Sequence, residues 1–400
     1  MTKTLAGVAV AALTAGLMST TTLPVAAQEG PIRIGVLLPT TGGCATAGTR
    51  ALEGHEAFIS ALNADGGLLG RQVETVHRDS QCNPSVATAA ARDLVTLNAV
   101  DFLIGGVSSA EALAISEVAR QEQVVYMAGI PKTVQLTNED NIHPYVFRAA
   151  DNTSSEGKSA AILADRLGWD TICTILLDYS YGHDLGSAFE EHIAEIRPDA
   201  EIVTQVWPAA NTDDYSPFIT QLLSSNCDGV FSGVWAGVFP NFAKQADAFG
   251  FFDRFEFVSA GALGSTRFLE AMGDEMPRGI WGNSVEVFYY PQTPEHQAYL
   301  SAIEAEIGEQ PDGFHATGWV AMQFIAEAVS VAGTTDSDAV SDALKGLTIQ
   351  SISGPLTMRD FDQQANRGTF WGQIADSTLE GYDAPMMSPV EYIPADEIMD

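Results

Sequence analysis

Ile32-Arg33-Ile34-Gly35-Val36-Leu37-Leu38 is a short, largely apolar run that stops at Pro39; after it, Thr49–Ala64 carries a helical pattern ending at Gly66-Gly67. The alternation continues outward with a strand at Val73–Arg78, a helix at Val86–Leu97, a strand at Asp101–Ile104, a helix at Glu111–Gln121 and a strand at Val124–Met127. Strands and helices alternating at this spacing predict βαβ units and a parallel, doubly wound sheet. After Tyr145–Arg148 the rhythm restarts, with helix Ala160–Leu167, strand Thr171–Leu177, helix Gly186–Glu195 and strand Glu201–Val206. It runs on through helix Ser216–Ser224, strand Gly229–Phe231, helix Phe239–Phe249 and strand Phe255–Ser259. The expected fold class is therefore α/β, with two successive lobes of the same internal order. Ile280–Phe288 reads as an extended connection, Glu295–Glu306, His315–Ala332 and Ser337–Leu344 as helices, and 352–400 as turns with short strands. No low-complexity linker parts the lobes, so several close strands rather than one tether are expected to join them.

Composition narrows what such a chain does. With 46% hydrophobic and 18% charged residues, the 400-residue chain is globular, and its length predicts two domains or three. The charge is lopsided: 52 Asp and Glu oppose 19 Lys and Arg, only five of them lysine, for a formal net charge of −33. No basic run offsets it, so phosphate backbones are repelled and nucleic-acid binding is excluded. Anionic membrane surfaces are disfavoured on the same ground.

Residues 1–27 have the layout of a cleavable secretory signal: a polar start with Lys3, an apolar stretch from Leu5 to Met18, and Val25-Ala26-Ala27 before Gln28. The apolar stretch is shorter than the roughly 20 residues a membrane span requires. Without a Cys at the cleavage point, a lipid anchor is not expected either. In an exported chain, four cysteines at 44, 82, 173 and 227 with no C-x-x-C spacing read as disulfide partners rather than a metal or redox site. Cys44 and Cys82 each follow a predicted strand and are expected to pair. Cys173 and Cys227, at the starts of two later strands, form the second expected pair.

The search for catalytic motifs is negative. Gly42-Gly43 and Gly48 do not spell G-x-G-x-x-G, and Gly157-Lys158-Ser159 lacks the glycine that a phosphate loop needs at position 152, which is Asn152. Asp151 and Glu156 would also repel a phosphate there. There is no G-x-S-x-G elbow or H-E-x-x-H helix, and the seven histidines are scattered. No nucleophile is spaced with a base, so no enzyme, cofactor or metal is expected.

Two α/β lobes joined by several crossings make a cleft, and open α/β sheets bind ligands beyond the C-terminal ends of their strands. After the third strand comes Gly105-Gly106-Val107-Ser108-Ser109, directly before a helix. Small residues admit a ligand to the backbone, and a serine hydroxyl with unpaired helix N–H groups suits a carboxylate. Ser109 as a plain helix cap is the competing role. Ala128-Gly129 follows the fourth strand. In the second lobe, Tyr179 and Tyr181-Gly182 follow one strand and Trp235, in Ser232-Gly233-Val234-Trp235, follows another, where an aromatic ring either faces a ligand or fills core.

These residues resemble the branched-chain amino acid-binding branch of the periplasmic binding proteins, the type I solute receptors of ABC importers. The resemblance covers nearly all of the mature chain. It rests on Ile32 through Gly42, on Asn63-Ala64-Asp65-Gly66-Gly67-Leu68-Leu69-Gly70-Arg71, on Gly105 through Ser109, on Asp178-Tyr179-Ser180-Tyr181-Gly182, and on Asp213-Asp214-Tyr215-Ser216-Pro217-Phe218. It implies two doubly wound parallel-sheet lobes joined by three crossing strands. The expected division is a signal peptide at 1–27, a first lobe of 28–149 with 285–333, and a second of 150–284 with 334–400. It also implies a periplasmic location, a permease and an ATPase as partners, and a monomer that captures a small carboxylate.

Carried over by position, Ser108, Ser109 and the backbone at Ala128 and Gly129 would hold the carboxylate. Tyr181 and Trp235 would close over the ligand, and Phe314 would touch its side chain. Members that bind amino acids commonly place an acid after the fourth strand of the second lobe to pair with the ammonium; here Ser259-Ala260-Gly261-Ala262-Leu263 stands there. A buried ammonium without a partner costs several kcal/mol, so either another acid serves, with Asp178 and Asp184 nearby, or the ligand has no ammonium. A ligand-sensing receptor subunit and a hydrolase on the same scaffold are the alternatives. The excess acid lies along both lobes, at Glu190, Glu191, Glu304, Glu306, Asp336 and Asp338, and fits a surface exposed to a saline medium, where salt screens self-repulsion.

Overall fold

The computed structural model describes Thr2 and residues 30–399, so the expected signal peptide lies outside the described residues. The opening run forms β1 (Ile32–Leu37), followed by β2 (Val73–Arg78), β3 (Phe102–Gly105), β4 (Tyr126–Ala128) and β5 (Val146–Arg148). All pair in parallel in the order β2-β1-β3-β4-β5. Alternation decides which face each side chain takes. Ile32, Ile34 and Val36 enter a core with the helices Ala45–Ala64 and Gly313–Ala332, while Leu37 and Leu103 enter the opposite core with Leu94 and Ile115. A sheet covered on both faces accounts for near-continuous apolar strands.

The second sheet contains β6 (Thr171–Ile175), β7 (Glu201–Val206), β8 (Gly229–Ser232), β9 (Glu256–Ser259) and β10 (Trp281–Ser284). A small antiparallel hairpin of β11 (Thr348–Ser351) and β12 (Gly354–Thr357) stands apart, and β13 (Thr369–Ala375) and β14 (Met386–Ile393) complete the large sheet. Its order is β14-β13-β10-β9-β8-β6-β7. It is mixed, because β13 runs antiparallel to β10 and β14 antiparallel to β13. The segment expected as a bare connection at 280–288 thus supplies an inner strand.

The division of the chain also differs from expectation after residue 333. Val340, Leu344, Ile349, Leu356, Met358 and Ala365 all enter the first core. Tyr145 donates to Asp338 at 2.7 Å, and Ser341 donates to the Pro144 carbonyl at 2.5 Å. Apolar side chains at helical and strand spacing found a face already supplied by the helix Gly313–Ala332, so the chain crosses to the second sheet only near Arg367. Three crossings result, at 148–152, at 284–286 and at 365–368. The third is tied to the first where Arg148 N–H donates to the Gln363 carbonyl and Ala365 N–H to that of Arg148.

Both disulfides are present, Cys44–Cys82 with Cα atoms 5.7 Å apart and Cys173–Cys227 at 5.8 Å. Among the described residues, no helix is long and apolar enough to cross a membrane. Glu191, Glu304, Glu306, Asp336 and Asp338 are all exposed, as a solvated acidic surface requires.

Two helices that carry the cleft cross backbone to backbone: a Cβ on Gly318 would stand 1.9 Å from the Ala51 carbonyl oxygen. Gly318→Ala is therefore expected to destabilise the protein by about 1–3 kcal/mol or more through overpacking, read as a lower urea midpoint. Beside that crossing, buried His55 is pushed down to about 3, first by burial and then by the nearby His77. The folded protein then holds fewer protons than the unfolded chain between that value and the ordinary 6.5. Stability from this group is complete above pH 6.5 and is lost as pH falls toward 3, at up to about 1.4 kcal/mol per unit. Urea midpoints measured in that window should lose this part of the slope in His55→Gln.

Candidate ligand-binding cleft

The loops beyond β3 and β4 form one wall. Gly105 takes φ +130° because β3 ends against β1, where a Cβ would meet the Leu37 carbonyl oxygen at 2.4 Å. Ser108, not Ser109, caps the helix Ser109–Glu122: its hydroxyl accepts from Glu111 N–H at 3.3 Å. Glu111 folds back and accepts from Val107 N–H at 3.2 Å and Ser108 N–H at 3.0 Å. The chain's own carboxylate thus takes part of the helix N-terminus, leaving half-buried Ser109 as the helix's first residue. Ala128 and Gly129 are buried, and a Cβ on Gly129 would stand 2.9 Å from the Thr317 carbonyl oxygen.

Phe314 is held on the same wall by the cap of its helix. Asp312 accepts from Phe314 N–H at 2.9 Å, pairs with Arg50, and contacts His315 Nδ1 at 3.0 Å. Burial pushes the Asp312 carboxyl up, but the contacts with His315, Arg50 and Phe314 N–H outweigh it and hold it below the usual carboxylate range.

Tyr181, Trp235 and Gly261 meet on the opposite wall. Gly261 has φ +89°, and a Cβ there would fall 2.4 Å from Trp235 Cβ and 3.3 Å from the Tyr181 hydroxyl. Trp235 stays 36% exposed, so its ring is not spent on the core. Tyr179 stacks on Tyr181 with centroids 5.8 Å apart.

Between the walls lies an acid the sequence expectation did not place. Glu156, fully buried, accepts from Asn283 Nδ2 at 2.6 Å, Lys132 Nζ at 2.9 Å, Tyr181 OH at 3.2 Å and Gly261 N–H at 3.3 Å. Lys132 belongs to the first lobe's β4–β5 connection and also reaches Asp151 at 3.0 Å. Burial pulls the Lys132 ammonium down, yet the two carboxylates outweigh that and hold it above its usual range. Asp178 and Asp184 do not serve here. Asp178 is exposed and pairs with His183 at 2.9 Å; Asp184 is half-buried, its carboxyl pushed up by burial.

Acid therefore gathers at the cleft, from a stretch whose sequence resembles only the tail of a phosphate loop. The helix there starts at Thr153, seven residues before the expected Ala160. Polar Ser and Gly hid its first turn, although Asn152 and Ser155 form a capping box. Lys132, one of five lysines in so acidic a chain, was a signal of its own.

A cavity of about 40 Å³ lies at the bottom of the cleft, where the three crossings meet. Gly129 and Phe314 line it together with Lys132, Asp151, Val285 and Arg367. Ser108, Ser109, Ala128, Tyr181, Trp235 and Gly261 do not. Among the described residues no three His, Cys, Asp or Glu side chains gather as a metal site.

Comparison with known proteins gives this arrangement a family. The periplasmic binding protein model matches residues 31–378, most of the chain and both walls of the cleft. The chain belongs to the periplasmic binding protein family. Within it, the chain is similar to the leucine-, isoleucine-, valine-, threonine- and alanine-binding protein of Pseudomonas aeruginosa, 24% identical over 343 residues that cover 85% of this chain and 88% of that one. The ABC transporter substrate-binding protein of Sphaerobacter thermophilus superposes with TM-score 0.82 at 25% identity, covering 91% of this chain and 98% of its own. A solute-binding protein of an ABC transporter from Rhodopseudomonas palustris BisB5, in complex with 3,4-dihydroxybenzoic acid, gives TM-score 0.80 at 22% identity with the same coverages. The type I fold with its three crossings is thus shared.

In this periplasmic binding protein, replacing Glu156 leaves Lys132 with Asp151 alone and takes the charged acceptor from three other donors. Glu156→Gln is expected to cost about 3–5 kcal/mol, as removal of one buried partner does. A urea midpoint equal to wild type would contradict the buried pair.

Proposed function

We propose that this protein is the solute receptor of an ABC importer: it captures a small organic carboxylate, an amino acid or a related organic or aromatic acid, by closing its two lobes. The observation that carries this is the cleft, where exposed Trp235 and half-buried Tyr181 of one lobe face Gly129 and Phe314 of the other across the Lys132–Glu156 contact. Closure of two lobes on short crossings excludes water and strengthens every polar contact inside. The branched-chain amino acids in the relatives' names and the dihydroxybenzoate in a neighbour's structure are both acids with an apolar body, which suits a wall of rings beside polar groups.

Roles follow from position. Ser109 and the part of its helix N-terminus that Glu111 and Ser108 leave open hold a carboxylate at the first lobe, and Phe314 packs on the ligand's body. Tyr181 and Trp235 cover it as the second lobe arrives. The chain is exported through residues 1–27, works as a monomer in the periplasm, and delivers its ligand to a permease driven by an ATPase.

A thermal-shift screen of amino acids, aromatic acids and neutral sugars tests this. Saturation at a hundred times Kd adds about 2.7 kcal/mol, so one or more acids should raise the melting temperature by several degrees. Stabilisation by sugars alone would overturn the carboxylate reading. With the best acid of that screen, Trp235→Ala should weaken binding by about 2 kcal/mol in titration calorimetry, as loss of an aromatic anchor does. Unchanged affinity would remove Trp235 from the site.

A further inference from the structure

Resting on the solute-receptor reading, we infer that the cleft floor is a second anion subsite built on Arg367, so that the ligand class is two-ended acids. The guanidinium stands where the three crossings converge, 2% exposed, and lines the deep cavity with Asp151, Val285 and Phe314. One arm is fixed: Nη2 donates to the Val285 carbonyl at 3.1 Å, tying the third crossing to the second. The other arm, Nη1, is buried with no hydrogen-bond partner among the described residues, and no ion pair among them involves Arg367. Two carboxylates that act on it electrostatically, Asp151 and Glu286, each have one oxygen engaged elsewhere and make no ion pair with it. Asp151 is held by Lys132 through Oδ2, and Glu286 lies 3.1 Å from His296 Nε2.

A buried guanidinium N–H left unpaired is costly, and a charge-assisted bond is the strongest remedy. The fork of an arginine matches a carboxylate better than any neutral acceptor. Apolar Ile130, Val285 and Phe314 around it keep out water that would weaken the contact. Asp151 Oδ1, also buried without a partner among the described residues, offers an acceptor beside the arginine. It suits a hydroxyl or ammonium next to the ligand's distal carboxylate. A ligand held by Ser109 at one end and Arg367 at the other touches all three crossings, so its second charge favours the closed lobes. A mono-acid with an apolar tail leaves Nη1 unpaired.

The test is calorimetric titration of wild type and Arg367→Gln with diacids from succinate to suberate, and terephthalate, each paired with its mono-acid, butyrate to octanoate and benzoate. In wild type at least one diacid should bind about tenfold or more tighter than its partner, the value of one hydrogen bond to a charge. Arg367→Gln should abolish that preference, so that the diacid binds within about threefold of its mono-acid. If the variant does not fold, the wild-type ratio decides. Mono-acids bound with no preference for any diacid, or a preference that survives Arg367→Gln, would overturn the subsite and leave the receptor reading standing. Binding of neither acid type would overturn the carboxylate reading and the subsite with it.

Discussion

One carboxylate holds the two halves of this molecule in register. Glu156 stands in the first turn of the helix Thr153–Leu167, immediately after the first crossing, and gathers donors from four separate segments. Lys132 comes from the first lobe; Tyr181, Gly261 and Asn283 come from the second. A charge so deeply buried is stable only when its lone pairs are filled, and here the filling is what aligns Lys132, the Tyr181 ring and the Gly261 turn. The geometry of Trp235 follows, because Gly261 has room for nothing larger than hydrogen beside it. Replacing the network by apolar side chains would cost little in principle, but would surrender the alignment of the two walls.

The cleft is polar at its centre and apolar at its edges, within a chain whose surface is strongly acidic. Its cations are few, and two of them, Lys132 and Arg367, line one cavity at the junction of the crossings. For the proposed acid ligand, Arg367 is the cation of that cavity that no ion pair among the described residues engages, since Lys132 is held by Asp151 and Glu156. The long-range field opposes the approach, so salt in the medium assists it by screening. The local field, in a dry pocket where charges interact strongly, decides the binding.

Much of the fold was legible in the sequence. The apolar run Ile32–Leu38 gave a strand in place within a residue, because a strand buried on both faces has few other readings. Helix starts were less legible: Thr153–Leu167 begins in polar residues whose role is capping, which hydrophobic periodicity does not see. The segment 334–365 was assigned to the wrong lobe since its apolar pattern states only that it is buried, not against which core. At the site, Gly129 and Phe314 fell on the cavity and Tyr181, Trp235 and Gly261 fell together. The joining of Lys132 and Arg367 to Asp151 and Glu156 was not legible, because they lie far apart in sequence and only the crossings bring them together.

Lys132 and Glu156 join the lobes as a coupled pair. A double-mutant cycle of Lys132→Met and Glu156→Gln, read by urea unfolding, measures that coupling. Groups in one buried network couple by about 0.5–3 kcal/mol, and this pair, desolvated and bonded at 2.9 Å, is predicted to fall in the upper half of that range. Additive costs, within about 0.5 kcal/mol, would show that the two residues act independently and would contradict the pair as the hinge of the structure.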